Sequence, residues 1–180
     1  GYQYDRRIIN AKDYGVPQNR ERLWMFARLG GLPDDFSMIP PTIDNGLKLK
    51  DFVDEKPDES LYLSQQQIQR IKDFYGIESF VVSEYSCFDL YNKNIRNDGL
   101  SITILAPEHN KMRMVEPTLP DGTEVVRKYS VPEQFRLMGF KDGEIDFAGQ
   151  SYTQLSKRAA NGWDVNIVGI LLNYIWGQLL

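Results

Sequence analysis

The spacing of hydrophobic residues first predicts a strand near the N-terminus. An aromatic and aliphatic run from Arg22 to Leu29 is short and is closed by Gly30-Gly31, which favours a strand over a helix. Because the run is continuous, it predicts a strand buried on both faces. Residues 30–59 are rich in proline, aspartate and glycine. They predict a surface connection with one short helix near 49–54.

Two capping boxes predict helices in the middle of the chain. Ser64–Gln67 begins one helix, which Gly76 ends. Ser130–Glu133 begins a shorter helix, which ends at Gly139. In each box a serine and a residue three positions later satisfy the first free backbone N–H groups, so the start of each helix is well defined.

Two further helices are predicted at the C-terminus, over 151–160 and 163–179, with a break at Asn161-Gly162. The last helix is amphipathic, with apolar residues at three- and four-residue steps. Its predicted apolar face consists of Val165, Val168, Leu172, Ile175 and Leu179.

Residues 77–128 carry β-strand signals between turn sequences at 97–99 and 120–122. The predicted strands are 77–83, 100–105, 113–117 and 123–128. Strands grouped in the middle of the chain, with helices after them, place it in the α+β class.

Charge and composition narrow the function. The 180 residues carry a formal net charge of −4 and a sequence pI of about 5.1, which excludes a protein that grips nucleic acid through its overall charge. One cysteine and one histidine exclude an internal disulfide and a Cys/His zinc site. We therefore expect no metal site, and any contact with a polyanion must come from a local basic patch.

The chain also lacks membrane signals. Its most apolar stretch, 165–180, is shorter than the roughly 20 apolar residues that span a bilayer. No signal peptide is evident at the start, where charged residues interrupt any apolar run. We expect a soluble, cytoplasmic protein with no membrane partner.

The residues alone suggest few catalytic groups. On a strand, Arg20 and Arg22 would share a face, which suits recognition of phosphate or base edges, although composition alone favours a solvated charged edge. Cys87 has no nearby histidine to activate it and reads as a small buried hydrophobe. His109 reads as a solvent-facing loop residue.

Three segments, in order, resemble shared motifs of bacterial DNA (cytosine-5) methyltransferases. Residues 10–22, NAKDYGVPQNRER, resemble the eighth motif, and 127–140 resemble the ninth. Residues 154–168, centred on Asn161, are similar to the tenth, although Trp163 stands where that motif has a small residue. Between the eighth and ninth motifs the family keeps its target recognition domain.

The resemblance implies a division of the chain and a set of roles. Residues 1–29 would belong to the catalytic domain, 30–140 would form the β-rich target recognition domain, and 141–180 would supply C-terminal helices. In the family the first and last parts pack on an α/β methyltransferase domain.

The implied site residues follow from the matching motif positions. Arg22 would contact the flipped cytosine, Arg20 would hold a nearby phosphate, and Thr103 would support the recognition loop. The full predicted DNA-binding set is Gln18, Arg20, Arg22, Thr103, Lys111 and Arg113, and the predicted cofactor contacts are Asn161 and Gly162. Lys93, Arg96, Lys111 and Arg113 are candidates by charge and loop position only.

The family's other motifs hold the chemistry. A Pro-Cys segment supplies the thiolate that adds to cytosine, a Glu-Asn-Val segment supplies an acid, and a Gly-rich loop binds S-adenosylmethionine. None of these segments is present here. The resemblance therefore implies a chain that is inactive alone, pairs with an N-terminal catalytic half and binds double-stranded DNA. It also implies self-association through the apolar faces that the catalytic half would cover.

Two other interpretations stay open. The chain could be a non-catalytic DNA-binding or adaptor module that kept the same fold. An unrelated α+β domain whose motifs match by chance is the third interpretation, and it predicts no DNA binding.

Overall fold

Two antiparallel sheets and four α-helices organise the protein in the computed structural model, which describes residues 1–106 and 112–180. The strands are β1 (Tyr2–Asn10), β2 (Glu21–Leu29), β3 (Ser86–Asp89), β4 (Asn94–Arg96), β5 (Met112–Glu116) and β6 (Val125–Arg127). The helices are α1 (Gln65–Tyr75), α2 (Val131–Arg136), α3 (Tyr152–Asn161) and α4 (Val165–Gly177). The mixture agrees with the predicted α+β class.

The first sheet is the hairpin of β1 and β2, which pair from Tyr2↔Leu29 to Asn10↔Glu21. One face packs on α4, where Ile9 and Trp24 meet Ile167. The strand prediction for β2 is confirmed, whereas sequence analysis had no prediction for β1.

The opposite face of the hairpin is uncovered, and we call it the open face. Its large side chains are each between 59% and 73% exposed: Tyr2, Tyr4, Ile8, Leu23, Met25 and Leu29. The prediction that β2 is buried on both faces is therefore wrong for this chain. Its outward residues are apolar, but no described residue packs over them.

The second sheet has the strand order β4-β3-β5-β6. Its Phe88 face packs on α1 through Ile68 and Ile71. Its other face, which contains Cys87 and Met114, packs on residues of α2 and α3. The second sheet therefore lies between α1 and the C-terminal helices.

The strand predictions in this region are partly wrong. The strands expected at 113–117 and 123–128 are confirmed as β5 and β6, but 77–83 and 100–105 form no strand, and β3 and β4 were missed. Side chains supply the hydrogen bonds that a neighbouring strand would otherwise provide. The Phe80 N–H donates to the Glu124 carboxylate at 2.6 Å, and the Val82 N–H donates to Thr118 Oγ1 at 3.0 Å.

Both predicted capping boxes are confirmed. Ser64 and Gln67 cap α1, and Gly76 ends it in the left-handed conformation at φ 69°. Ser130 and Glu133 cap α2. The predicted short helix after Gly30 is a single 3-10 turn, Leu49–Phe52.

The apolar face of α4 differs from the predicted one. Ile175 is buried as predicted, but it shares the buried face with Ile167 and Leu171, while Leu172, from the predicted face, is 58% exposed. Most of this helix is apolar, so two stripes of residues have helical spacing. The stripe that packs on the hairpin is the one containing Ile167 and Leu171. Trp176 is also exposed, and the outer side of α4 is thus a second uncovered apolar surface. No helix among the described residues is both long and apolar enough to cross a bilayer.

A buried ion pair ties β6 to α2. Arg127 donates to both carboxylate oxygens of Glu133, and both side chains are fully buried. Burial alone lowers the pKa of Arg127, but hydrogen bonds and charge from Glu133 raise it overall. Because Glu133 also caps α2, this pair fixes the helix against the sheet.

Candidate functional site

A cleft of about 360 Å³ lies between β2 and the turn that joins α3 to α4. We call it the indole cleft, since Trp24 and Trp163 stand on it with ring centroids 5.5 Å apart in an edge-to-face arrangement. Arg22, Asn161 and Asp164 also line it. Strand alternation places Arg22 and Trp24 on the same face of β2, so both reach the cleft.

Arg22 is the accessible cation of this cleft. Its side chain is exposed and donates to the Glu21 carbonyl at 2.7 Å, and it pairs with no carboxylate of the described residues. Partial burial lowers the pKa of Arg22 but leaves it charged at neutral pH. A guanidinium in this position can donate to an anion or to a carbonyl edge of a base.

Asp164 and Trp24 line the indole cleft, and each has a polar atom without a partner among the described residues. Asp164 Oδ1 caps α4 by accepting from the N–H groups of Asn166 and Ile167. Among the described residues, Asp164 Oδ2 and Trp24 Nε1 are both buried and have no hydrogen-bond partner. Burial raises the pKa of the Asp164 carboxyl. The residues that line the cleft thus include one donor and one acceptor whose hydrogen-bonding capacity the described residues leave unused.

Gln18 does not face solvent, contrary to its predicted role as a DNA-binding residue. It is fully buried; its Nε2 donates to the Leu137 carbonyl at 2.5 Å, and its Oε1 accepts from the Ile104 N–H at 3.0 Å. Both ends of the amide form hydrogen bonds inside the protein. The prediction that Gln18 contacts DNA directly is therefore wrong.

The prediction that Arg20 holds a DNA phosphate is also wrong. It lies before β2 rather than on it, is 3% exposed, and donates to the carbonyls of Ile104, Ala160 and Gly162 at 3.3, 2.9 and 2.9 Å. Burial, with a smaller contribution from the charge of Arg22, lowers the pKa of Arg20 to about 10. It stays charged at neutral pH, and three carbonyl oxygens solvate that charge.

Gln18 and Arg20 meet at one residue, Ile104. Gln18 accepts from the N–H of Ile104 and Arg20 donates to its carbonyl, so both polar groups of a fully buried backbone unit are held by side chains. Thr103, the residue before Ile104, is also held in place, because its Oγ1 donates to the Asn19 carbonyl at 2.6 Å. The predicted supporting role of Thr103 agrees with this contact, while its role toward DNA stays a prediction.

The other basic residues considered as DNA contacts do not lie at the indole cleft or lie outside the described residues. Arg113 pairs with Phe88 across β3 and β5, which puts its half-buried side chain on the α1 side of the sheet, away from the indole cleft. It does not belong to this cleft, and its predicted DNA contact stays a prediction. Lys111 and His109 lie outside the described residues. Arg96 forms an ion pair with Asp98.

The two predicted cofactor contacts differ in availability. Asn161 is exposed at the end of α3 and lines the indole cleft. Gly162 uses its N–H on the Arg158 carbonyl, at 2.9 Å, and its own carbonyl on Arg20. Only Asn161 is free to contact a bound molecule through polar atoms.

Cys87 is a buried hydrophobe, as predicted. It has no exposed surface, and its Sγ donates to the Leu100 carbonyl and accepts from the Ile102 N–H, each at 3.4 Å. Burial raises the pKa of the Cys87 thiol, which opposes formation of a thiolate nucleophile.

Sequence reasoning missed part of this arrangement. Trp24 was read only as an apolar strand residue, and Asp164 was passed over although an aspartate before an apolar helix is a typical N-cap. A second cleft, of about 290 Å³, was missed because it joins residues distant in sequence. We call it the asparagine cleft; its polar lining comprises Asn19, Arg22, Asp89, Asn92, Asn94 and Thr103.

Comparison with known sequences identifies relatives along the whole chain. Residues 1–176 match the family described as C-5 cytosine-specific DNA methylase. Type II methyltransferase M2.ScrFI of Lactococcus lactis subsp. cremoris is 27% identical over 98% of this chain and 46% of its own length. Type II methyltransferase M.MthTI of Methanothermobacter thermautotrophicus is 27% identical over 81% of this chain and 48% of its own. The chain spans about half the length of these curated relatives.

Solved structures share the fold. Entamoeba histolytica methyltransferase EhMeth superposes with a TM-score of 0.62 at 20% identity, over 99% of this chain and 55% of that one. The S. pombe Dnmt2 methyltransferase gives a TM-score of 0.59 at 18% identity, over 99% and 58%. At these identities the likeness concerns the fold alone.

Substitution of the two arginines should separate structural from functional roles. We expect Arg20→Met to lower the free energy of unfolding by about 2 to 4 kcal/mol, because three buried carbonyls lose their donor. Arg20→Lys should recover only part of this loss, since one ammonium cannot reach all three oxygens. Arg22→Met should change stability by less than about 0.5 kcal/mol. Urea unfolding followed by circular dichroism measures all three, and equal losses for Arg20→Met and Arg22→Met would contradict this assignment.

Proposed function

This chain belongs to the C-5 cytosine-specific DNA methylase family, and on that basis we propose that it is the C-terminal, DNA-recognising part of a DNA (cytosine-5) methyltransferase. In this role it binds duplex DNA and helps hold the flipped cytosine while a separate catalytic part transfers the methyl group. The single observation that supports the role best is the accessible Arg22 guanidinium on the indole cleft.

Arg22 has the chemistry that a flipped cytosine requires. An extruded base loses its stacking neighbours and its pairing partner, so the protein must replace those contacts. Arg22 offers donors to a base carbonyl or to the neighbouring phosphate, and Trp24 and Trp163 offer aromatic surface beside it. We assign Arg22 to the base and leave Gln18 and Arg20 to hold the protein together.

The proposed catalytic part would dock on two apolar surfaces of this chain. The open face and the outer side of α4 are both apolar and uncovered, and contiguous apolar surface of this kind marks an interface. A two-stranded hairpin is also marginal without further packing. We propose that the N-terminal half of the methyltransferase covers both surfaces.

The cofactor of the family is S-adenosylmethionine, which supplies the methyl group when it is bound. We propose that one edge of such a molecule lies against the indole cleft. Asn161 is exposed there, and Asp164 Oδ2 and Trp24 Nε1 lack partners among the described residues. We propose that Asn161 holds the cofactor and that Gly162 only shapes the turn. Most of the cofactor contacts would come from the catalytic half.

The proposed parts of the chain are 1–29, 30–140 and 141–180. Packing of β1 and β2 on α4 supports grouping the first part with the C-terminal helices, whereas the second sheet and α1 form the recognition part. With DNA as substrate, the natural place of action is the cytoplasm of the host cell.

Methyl transfer provides the direct test of this function. The reading frame should be extended upstream until it includes a Pro-Cys and a Gly-rich segment, and the extended protein assayed for transfer of labelled methyl groups to duplex DNA. We expect activity, and Arg22→Ala should lower kcat/KM by about 100-fold, since a contact to the reacting base is lost. Arg28→Ala, an exposed arginine at the far end of β2, is the matched control and should stay near wild type.

Two results would argue against the proposal. An extended protein that binds duplex DNA with no methyl transfer would indicate a non-catalytic recognition or adaptor module. Absence of DNA binding at low salt would indicate that this member of the family does not recognise DNA.

The open face also predicts the solution state of the isolated chain. We expect concentration-dependent self-association by sedimentation velocity, because six large apolar side chains are exposed together on one face. Leu23→Lys and Met25→Lys should shift the chain toward monomer, whereas Gln66→Lys on the exposed side of α1 should not. A wild-type chain that stays monomeric at high concentration would overturn this expectation.

A further inference from the structure

We propose that the asparagine cleft holds the nucleotide next to the flipped cytosine, and that Asn94 reads the edge of its base. This inference rests on the proposed function, because it assumes that the chain binds DNA. It adds a specificity-determining residue and the class of ligand that residue contacts.

The position of Asn94 follows from the register of the β3–β4 hairpin. Asn94 pairs directly with Asp89, and Cys87 lies two residues before Asp89 on the same face. Cys87 is buried against Ile102. Asp89 and Asn94 therefore continue that face outward, and there they form one wall of the asparagine cleft.

Hydrogen bonding separates Asn94 from its neighbours. Asn92 donates to Asp89, and Asp89 also accepts from the Tyr91 N–H at 2.9 Å, so these two side chains brace the turn of the hairpin. Asn94 is exposed and makes no side-chain hydrogen bond to the residues that the structure describes. Its amide thus presents a free donor and a free acceptor to the cleft.

Arg22 connects this cleft to the indole cleft, because its side chain lines both. A strand whose cytosine enters the indole cleft would pass Arg22 and place its next nucleotide against the asparagine cleft. The one carboxylate on that cleft, Asp89, is 3% exposed and already accepts two hydrogen bonds, which reduces its repulsion of a phosphate.

The cations on the same hairpin are placed differently. Lys93 lies over the Phe74 ring, with Nζ 4.4 Å from the ring centroid, and Arg96 is paired with Asp98. Neither lines the asparagine cleft. The reading element of the hairpin is therefore an amide rather than a cation.

An asparagine amide has a preferred partner among the bases. Its donor and acceptor match N7 and N6 of adenine in a bidentate pair, whereas guanine presents two acceptors. We therefore expect the nucleotide contacted by Asn94 to be adenine, with a preference of about tenfold or more over the other bases.

Selection from a random duplex library by the whole chain, at about 50 mM salt, tests this inference. Wild type should enrich a site with adenine at one position, and Asn94→Ala should lose that preference while keeping the rest of the site. Asn94→Asp, which replaces the donor with an acceptor, should shift the preference toward cytosine through its N4 amino group. Asn97→Ala, an exposed asparagine outside the cleft, is the matched control and should select the wild-type site.

The outcomes distinguish this inference from the function it rests on. If both Asn94 variants are folded by circular dichroism and select the wild-type site, the reading role of Asn94 is overturned and the proposed function stands. If the wild-type chain binds no duplex at low salt, both are overturned. Loss of the adenine preference in the Asn97→Ala control as well would also overturn the assignment, since the effect would then belong to the hairpin as a whole.

Discussion

The arrangement of this protein depends on how the backbone of Ile104 is held. Ile104 is fully buried and belongs to no strand, so its N–H and carbonyl need partners that a sheet does not provide. Gln18 and Arg20 supply them, and the same two side chains reach on to Leu137 and to Ala160. Two side chains from one short segment thereby join the backbone at Ile104 to the ends of α2 and α3.

This interaction explains why neighbouring polar residues of the same segment have different roles. Gln18 and Arg20 face inward, and their side chains form hydrogen bonds with the backbone of the protein itself. Arg22, two residues further, lies on β2 and stays accessible. Because the inner pair fixes the segments on either side, Arg22 is presented at the junction of the indole and asparagine clefts. The junction is where we propose that DNA is held.

Local signals predicted local structure well. The Ser64 and Ser130 capping boxes and the glycine that ends α1 describe their helices correctly, because those contacts lie within a few residues of sequence. Motif order led to the right family. The inward direction of Gln18 could not be predicted, since its partners, Leu137 and Ile104, lie 119 and 86 residues away. Periodicity also could not predict which of the two apolar stripes of α4 is buried, because burial depends on contact with the distant hairpin.

The central claim is that Arg20 is a structural side chain and Arg22 the one that meets DNA. NMR of the arginine side-chain N–H groups, assigned with Arg20→Lys and Arg22→Lys variants, tests this during titration with a duplex. We predict that the Arg20 signals exchange slowly with solvent and do not move, while the Arg22 signals shift on binding. Arg20 signals that exchange rapidly, or that shift together with those of Arg22, would contradict the account.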